Sequence, residues 1–140
     1  MMDAKTFFRA IRLERREIRI LNEKIYAREM DLLPSSIRYD KDQIQTSIED
    51  TMTAKMVELG DYELKRKELL RTLTTRQAQA IEIVSHIPDT KQRQVMEIYY
   101  FDTSNPTWDD VADEMGYDRR YILKVHGNAL CWINDHISIK

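Results

Sequence analysis

The sequence has little of what sheet folds, disulfide scaffolds and membrane spans require. Three glycines and three prolines in 140 residues cannot supply the many tight turns of a β-sandwich or barrel. A single cysteine excludes a disulfide framework, and no apolar run of signal-peptide length begins the chain, so we expect a reducing cytoplasm. No stretch approaches the roughly 18 to 20 apolar residues of a membrane span, so we expect no membrane partner.

Motifs of catalytic sites are also missing. The chain has no glycine-rich phosphate loop, no pair of His residues on one helical face and no Ser between glycines. His126, Cys131 and His136 follow one another at intervals of five, and each interval turns about 140° around a helix, so they do not converge on a metal. We expect no enzyme activity, no metal and no cofactor. Cys131 is expected to be a buried or half-buried small hydrophobic residue.

The abundant residues, Arg, Glu, Lys, Leu, Ile and Met, favour long helices and predict an all-α fold. Asp3 can cap a first helix that ends near Asp31. Its apolar residues follow a heptad seam: Phe7, Ile11, Ile18, Leu21 and Ile25. Residues 34–46 then form a crossover that contains Pro34, Ile37 and Ile44.

A second helix is predicted from Ser47, which forms a near capping box with Asp50, to about residue 87. Some forty residues of helix are too long to bury in a domain of this size, so the first two helices predict an antiparallel hairpin, a coiled-coil-like arm over residues 1–87. Seam positions such as Leu70, Leu73 and Val84 lie beyond the reach of the first helix and, unless the C-terminal domain covers them, predict a homodimer through the arm. A spacer with a solvated outer face is the alternative for the arm.

Residues 88–140 predict a helix-turn-helix domain. Such a motif needs a small residue where its helices cross, a residue tolerant of positive φ four places later and an aliphatic residue six places after that, and Ala112, Gly116 and Ile122 meet these demands. The other predicted core residues are Trp108, Val111, Met115, Tyr117 and Val125. The predicted helix caps are Asp89 or Thr90, Thr107 with Asp110, and Asp118.

The last helix carries the residues expected to contact DNA. With Ile122, Val125 and Ala129 facing inward, its other side presents Arg119, Arg120, Tyr121, Lys124 and Asn128. Arg and Lys donate to guanine O6 and N7 or to phosphates, and Asn bridges an adenine edge, so we expect binding to the major groove of double-stranded DNA. The alternative is a pair of short helices that touches no nucleic acid.

The charge of the C-terminal domain is unusual for a DNA-binding unit. Residues 88–140 hold six Lys or Arg against nine Asp or Glu, a net charge of -3. We therefore expect modest affinity for DNA, and binding that needs two copies of the chain or another protein such as RNA polymerase.

The run from Thr107 to Tyr117, followed by His126, Ala129 and Leu130, resembles phage-encoded transcriptional regulators of Gram-positive bacteria of the ArpU and RinA type. Residues 39–42 and 44–47 are similar to a second signature of that group. The C-terminal part of the family resembles the last region of sigma factors, region 4. The resemblance implies a regulator in the bacterial cytoplasm that activates late or packaging genes of a prophage or related mobile element.

Three features depart from the pattern of that family: the run from Asp102 to Pro106 is longer than the usual turn, Asp118 stands where Ser is common, and Tyr121 stands where a basic residue is frequent. These departures affect the base preference more than the fold. The sequence therefore predicts a sequence-specific DNA-binding regulator. The alternative is a coiled-coil interaction or structural protein without specific DNA binding.

Overall fold

The computed structural model describes residues 2–33 and 41–139, without the side chains of residues 41–49. The described residues are mainly helical, as predicted, and contain one isolated antiparallel bridge, between Met2 and Ile139. The helices in these ranges are α1 (Ala4–Leu32), α2 (Lys41–Ser85), α3 (Thr90–Phe101), α4 (Trp108–Met115) and α5 (Arg119–His136). None of these helices is long and apolar enough to cross a membrane.

Helices α1 and α3 begin at the predicted capping residues. The Asp3 carboxylate accepts the backbone N–H of Thr6 at 2.8 Å, and the Asp89 carboxylate accepts the backbone N–H of Gln92 at 3.0 Å. Each carboxylate gives an acceptor to an N–H group that has no partner inside the first turn of its helix.

Helix α4 begins with the predicted capping box, whereas the predicted cap of α5 is incomplete. Thr107 Oγ1 accepts the N–H of Asp110 at 3.2 Å, and the Asp110 carboxylate accepts the N–H of Thr107 at 3.0 Å. Asp118 occupies the N-cap position of α5, but its side chain makes no capping hydrogen bond. The amide groups in the first turn of α5 therefore lack a side-chain cap from Asp118.

The start of α2 differs from the prediction. The backbone is helical from Lys41, so Ser47 and Asp50, the expected capping pair, lie inside the helix. Residues 41–46 contain neither Gly nor Pro, and the helix extends through them without a break. The remainder of the expected crossover, residues 34–40, lies outside the described residues.

The chain divides into two compact units, and their boundaries differ from the expected division after residue 87. We call Met1–Arg16 with Thr72–Lys140 the terminal unit and Glu17–Arg71 the middle unit. Both α1 and α2 contribute to each unit. The difference arises because the first part of α1 packs with the C-terminal helices: the ring centroids of Phe8 and Tyr100 lie 5.1 Å apart.

In the middle unit, the last part of α1 runs antiparallel to the first part of α2. Arg28 Nε lies 2.9 Å from the Glu58 carboxylate, and Arg66 donates to the Asn22 side chain at 3.1 Å, so residue numbers rise along one helix as they fall along the other. The seam residues of α1 in this unit are buried as predicted: Ile18, Leu21 and Ile25.

The terminal unit buries residues of α2 for which the sequence left two coverings open, the C-terminal domain or a second copy of the chain. Leu73 and Val84 are only 7% and 1% exposed, and both belong to the unit that contains the C-terminal helices. They are covered because this unit combines both ends of the chain, a long-range arrangement that helical periodicity does not reveal. Leu70, in the middle unit, is 44% exposed. Of these three seam positions, only Leu70 therefore remains exposed to favour a homodimer.

Gly116 follows α4 in the left-handed conformation that the sequence predicts, with φ at 74°. Apart from its local backbone, nothing lies within 4 Å of the position that a Cβ would occupy.

Gly116→Ala is expected to lower the free energy of unfolding by about 1 to 2 kcal/mol, because this φ strains an L residue. The same change at Gly127, inside α5 and equally open, is expected to raise it by up to about 1 kcal/mol. Urea denaturation measures both changes, and a shift of the same sign in the two variants would contradict the role given to φ.

Candidate nucleic-acid interface

Helices α3, α4 and α5 surround one apolar cluster in the terminal unit. Its buried members are Val95, Val111, Ala112, Ile122 and Val125. Trp108 and Met115 are half-buried and pack against the cluster. The N–H groups of Gly116 and Tyr117 both donate to the carbonyl of Ala112, which closes the end of α4 and leads after a three-residue turn into α5. The structure thus brings together the predicted core residues except Tyr117.

Tyr117 was expected to pack inward, but its side chain is 40% exposed. Its ring lies 4.9 Å from the ring of Tyr121, and Lys91 Nζ of α3 lies 5.0 Å from its centroid. The hydroxyl groups of Tyr117 and Tyr121 raise the pKa of Lys91 by favouring its charged form. Tyr117 differs from the expectation because it belongs to the turn and not to α4, so the helical periodicity does not apply to it.

The predicted DNA-contacting residues lie together on the outer side of α5. Arg120, Lys124 and Asn128 are exposed and follow one another at intervals of four, on the side of α5 opposite its buried residues. Among the residues that the structure describes, neither Arg120 nor Lys124 has a carboxylate within 4 Å. Two cations and an amide are therefore available to a ligand along about two turns of helix.

The other two predicted contact residues have partners inside the protein. Arg119 Nε lies 3.8 Å from the Asp109 carboxylate of α4, and both side chains are exposed, so the ion pair is weak. The Tyr121 hydroxyl lies 3.5 Å from Lys91 Nζ. Arg119 and Tyr121 therefore flank the outer side of α5 and are less free than Lys124.

No family model, no curated protein and no solved structure matches this chain.

An aromatic cluster lies on the inner side of α5. The rings of Tyr99 and Trp108 are stacked at 3.7 Å, and the His126 ring lies 4.5 Å from that of Trp108. Tyr100 Oη lies 2.6 Å from His126 Nε2 in a hydrogen bond, and burial raises the pKa of Tyr100, so its hydroxyl keeps the proton. This cluster was not predicted from the sequence because its members come from three different helices, α3, α4 and α5. The single available signal was the proximity of Tyr99 and Tyr100 to Trp108 along the chain.

Burial, with a smaller contribution from the charge of Lys5, lowers the pKa of His126 from 6.5 to about 4. In the unfolded chain, His126 keeps its ordinary pKa, so acid protonates the unfolded chain at a higher pH than the folded protein. This preferential protonation lowers the free energy of unfolding. The free energy of unfolding should therefore be fully retained above pH 6.5 and fall by about 2 kcal/mol between pH 7 and pH 5. Urea denaturation at both pH values measures this loss. In His126→Phe, most of the loss should disappear, and an unchanged loss would assign the pH dependence to other groups.

Two arginines of α1 hold the connection between α3 and α4. Arg15 is buried and donates to the carbonyls of Tyr100 and Asp102 and to the Asn105 side chain at 2.8 to 3.1 Å. Arg12 donates to the Tyr99 carbonyl at 2.7 Å and to the Asn105 carbonyl at 3.3 Å. Asn105 adopts a φ of 52°, which Asn tolerates better than most residues. The long run from Asp102 to Pro106 is therefore fixed by hydrogen bonds to α1.

The three residues that were tested for metal spacing have separate surroundings. His126 is half-buried beside Tyr100, and His136 Nδ1 lies 2.8 Å from the carbonyl of Trp132. Cys131 is exposed, so the expectation of a buried or half-buried thiol is wrong. It lies seven residues after Lys124, which places it on the outer side of α5. No group of three or more candidate metal ligands occurs in the described part of the chain.

The first part of α1 changes the charge of the unit that contains α5. Residues 88–140 carry six basic and nine acidic side chains, whereas residues 1–16 carry five basic and two acidic ones. Residues 72–87 add one of each, so the terminal unit has twelve basic and twelve acidic side chains. The terminal unit is neutral rather than acidic, so it has no net negative charge that would repel an anionic ligand.

Proposed function

We propose that the chain is a sequence-specific DNA-binding regulator of transcription that places α5 in the major groove. The observation that carries the proposal is the row of Arg120, Lys124 and Asn128 on the outer side of α5, free of carboxylate partners among the described residues. Arg and Lys in such a row can donate to guanine edges or phosphates, and Asn can pair with an adenine edge.

The geometry around α5 supports a helix-turn-helix docking mode. In that mode the second helix enters the groove while the first helix crosses the backbone, and a left-handed residue ends the first helix. The turn at Gly116 and the shared cluster of α3, α4 and α5 fit these requirements. The N terminus of α5 carries no side-chain cap from Asp118, so its backbone N–H groups can donate hydrogen bonds to a phosphate.

Selection from a random double-stranded DNA library tests the proposal directly. The full chain is bound to the library at a fixed salt concentration, because phosphate contacts make the affinity depend on salt. We expect a recurring sequence motif, which we call the operator, that binds at least about a thousandfold more tightly than unrelated DNA. Enrichment without a common motif, or equal affinity for all sequences, would refute specific recognition.

The hairpin arm and the partners suggested by the sequence belong to the same proposal. The antiparallel contacts in the middle unit support a hairpin of α1 and α2. The resemblance to phage-encoded regulators suggests that the operator precedes late genes of a phage or mobile element. RNA polymerase is proposed as a partner because the acidic residues 88–140 favour only modest affinity for DNA. Selection from host and phage genomic fragments would identify the genes.

A specific observation also favours the second candidate, a protein whose arm binds another protein. Large apolar side chains are exposed on both helices of the middle unit and just after α1: Tyr26, Met30, Leu33, Met52 and Met56. The ion pair of Arg28 with Glu58 places residues 30 and 56 at nearly the same level of the hairpin. Exposed apolar residues that cluster in this way are typical of interaction surfaces, and Met adapts well to varied partners.

A homodimer through this surface is the expected result in solution. Two copies would cover the apolar side chains of the middle unit and bring two α5 helices to neighbouring half-sites. Size exclusion with light scattering at micromolar concentration should give twice the chain mass of 16.7 kDa. Met30→Lys with Met56→Lys should return the chain to monomer without loss of helix content. A mass of one chain for the wild type would exclude the dimer and leave another protein as the occupant of the arm.

A further inference from the structure

A second candidate binding site is a groove in the terminal unit, with a volume of about 350 Å³. Helix α1 forms one wall with Lys5, Arg9 and Leu13, and aromatic rings of α3, α4 and α5 form the other. Trp108 and His126 belong to that second wall. The groove therefore combines cationic and aromatic side chains on two sides of one cleft.

The α1 wall of the groove carries positive charge without local compensation. Lys5 and Arg9 are exposed, one turn apart, and no carboxylate of the described chain lies within 4 Å of either. Arg12 adds a third cation, held with its guanidinium 3.7 Å from the ring centroid of Tyr99. The residues that line the groove include no Asp or Glu. Charge complementarity therefore calls for an acidic ligand.

The remaining lining calls for an apolar side chain on the same ligand. Leu13 is exposed on the rim, and the indole of Trp108, held in place by stacking on Tyr99, lines the groove. His126 is neutral at pH 7 because its pKa is lowered to about 4, so it adds no charge to the aromatic wall. An aliphatic or aromatic side chain can be buried there, while carboxylates beside it face the cations.

The position of the groove on α5 separates it from the proposed DNA contacts. His126 follows Lys124 by two residues, a rotation of about 160° around the helix axis. DNA against the outer side of α5 would leave the groove open. A protein segment, rather than the nucleic acid, is therefore the occupant that this arrangement favours.

We propose that the groove between α1 and the rings of Tyr99, Trp108 and His126 binds an acidic peptide segment of a partner protein, anchored by an aliphatic or aromatic side chain. The segment lies along α1, its carboxylates pair with Lys5 and Arg9, and its apolar side chain packs on Trp108. This site is independent of the proposed DNA contacts.

The test begins with a library of short random peptides displayed on phage and selected against the full chain. Enriched peptides are then synthesised and titrated in a Trp132→Phe background, where the fluorescence of Trp108 reports on the groove alone. Lys5→Glu with Arg9→Glu reverses both exposed cations near the start of α1, where acidic residues do not disturb a helix. Lys65→Glu with Lys67→Glu is the matched control, because both lysines are exposed on α2 and neither lines the groove.

We expect the enriched peptides to combine Asp or Glu with an aliphatic or aromatic residue and to change the fluorescence of Trp108. Charge reversal at Lys5 and Arg9 should weaken their binding by at least about tenfold, and the control should leave it unchanged. Failure to enrich acidic peptides, or an equal loss in both double variants, would overturn the proposal. Displacement of the peptide by operator DNA would also overturn it and would assign the groove to nucleic acid. Because the selection contains no DNA, its result stands whether or not an operator is found.

Discussion

The double variant Arg120→Ala with Lys124→Ala is expected to bind the operator at least about 30-fold more weakly than the wild type, with unchanged helix content. Both side chains are exposed on the outer side of α5 and have no carboxylate within 4 Å among the described residues, so their loss removes ligand contacts without disturbing the fold. A cation that reads a base contributes about 1 to 3 kcal/mol, and one that contacts a phosphate lowers the salt dependence of binding. Fluorescence anisotropy at two or more salt concentrations separates these roles.

The matched control for this experiment is Lys65→Ala with Lys67→Ala, which removes the same charge from the exposed side of α2. It should retain nearly full affinity for the operator. If both double variants lose affinity equally, net charge determines binding and the assignment of α5 to the major groove is wrong. Arg119→Ala should have a smaller effect than either residue of the pair, since Arg119 already lies near Asp109.

Arg15→Met is expected to lower the free energy of unfolding of the terminal unit by about 2 to 4 kcal/mol. The substitution keeps much of the side-chain length but removes three hydrogen bonds, to the carbonyls of Tyr100 and Asp102 and to the side chain of Asn105. These acceptors would lose a charged donor in a buried place. Since the connection between α3 and α4 would lose its support, operator affinity should fall as well.

Arg16→Met is the control, because Arg16 is the next residue along α1 and is exposed. Its effect on the free energy of unfolding should stay within about 0.5 kcal/mol. Urea denaturation of both variants, followed by circular dichroism, gives the comparison. Equal stability of Arg15→Met and Arg16→Met would show that the hydrogen bonds of Arg15 contribute nothing measurable.

Features set by neighbouring residues along the chain were predictable. The caps at Asp3, Asp89 and Thr107 depend on an acceptor three residues before an amide, and the conformation of Gly116 depends on its missing Cβ. Helical periodicity likewise identified the seam of α1. Each cap can be read from four consecutive residues, and the seam from a single helix.

Features that depend on distant parts of the chain were not predictable. Arg15 resembles any cation in a charged helix until the residues around Asp102 are placed beside it, about 85 positions later. The seam count placed Leu73 beyond the reach of α1, yet Arg76 lies 3.2 Å from Glu14, so α1 does run beside this part of α2. The exposure of Tyr117 depends on the turn that follows Met115. The sequence-specific roles assigned to Arg120 and Lys124 remain predictions.

The pairing of Met2 with Ile139 and of Ala4 with Asn134 has a consequence for biosynthesis. Ala4 is synthesised well before Asn134 of α5, its hydrogen-bond partner. At about 5 to 20 residues per second, the 130 positions that separate this pair delay the contact by about 7 to 26 s. The middle unit, whose helices are contiguous apart from one short connection, can form during that delay. The two units of a nascent chain are therefore expected to form in sequence, the middle unit before the terminal unit.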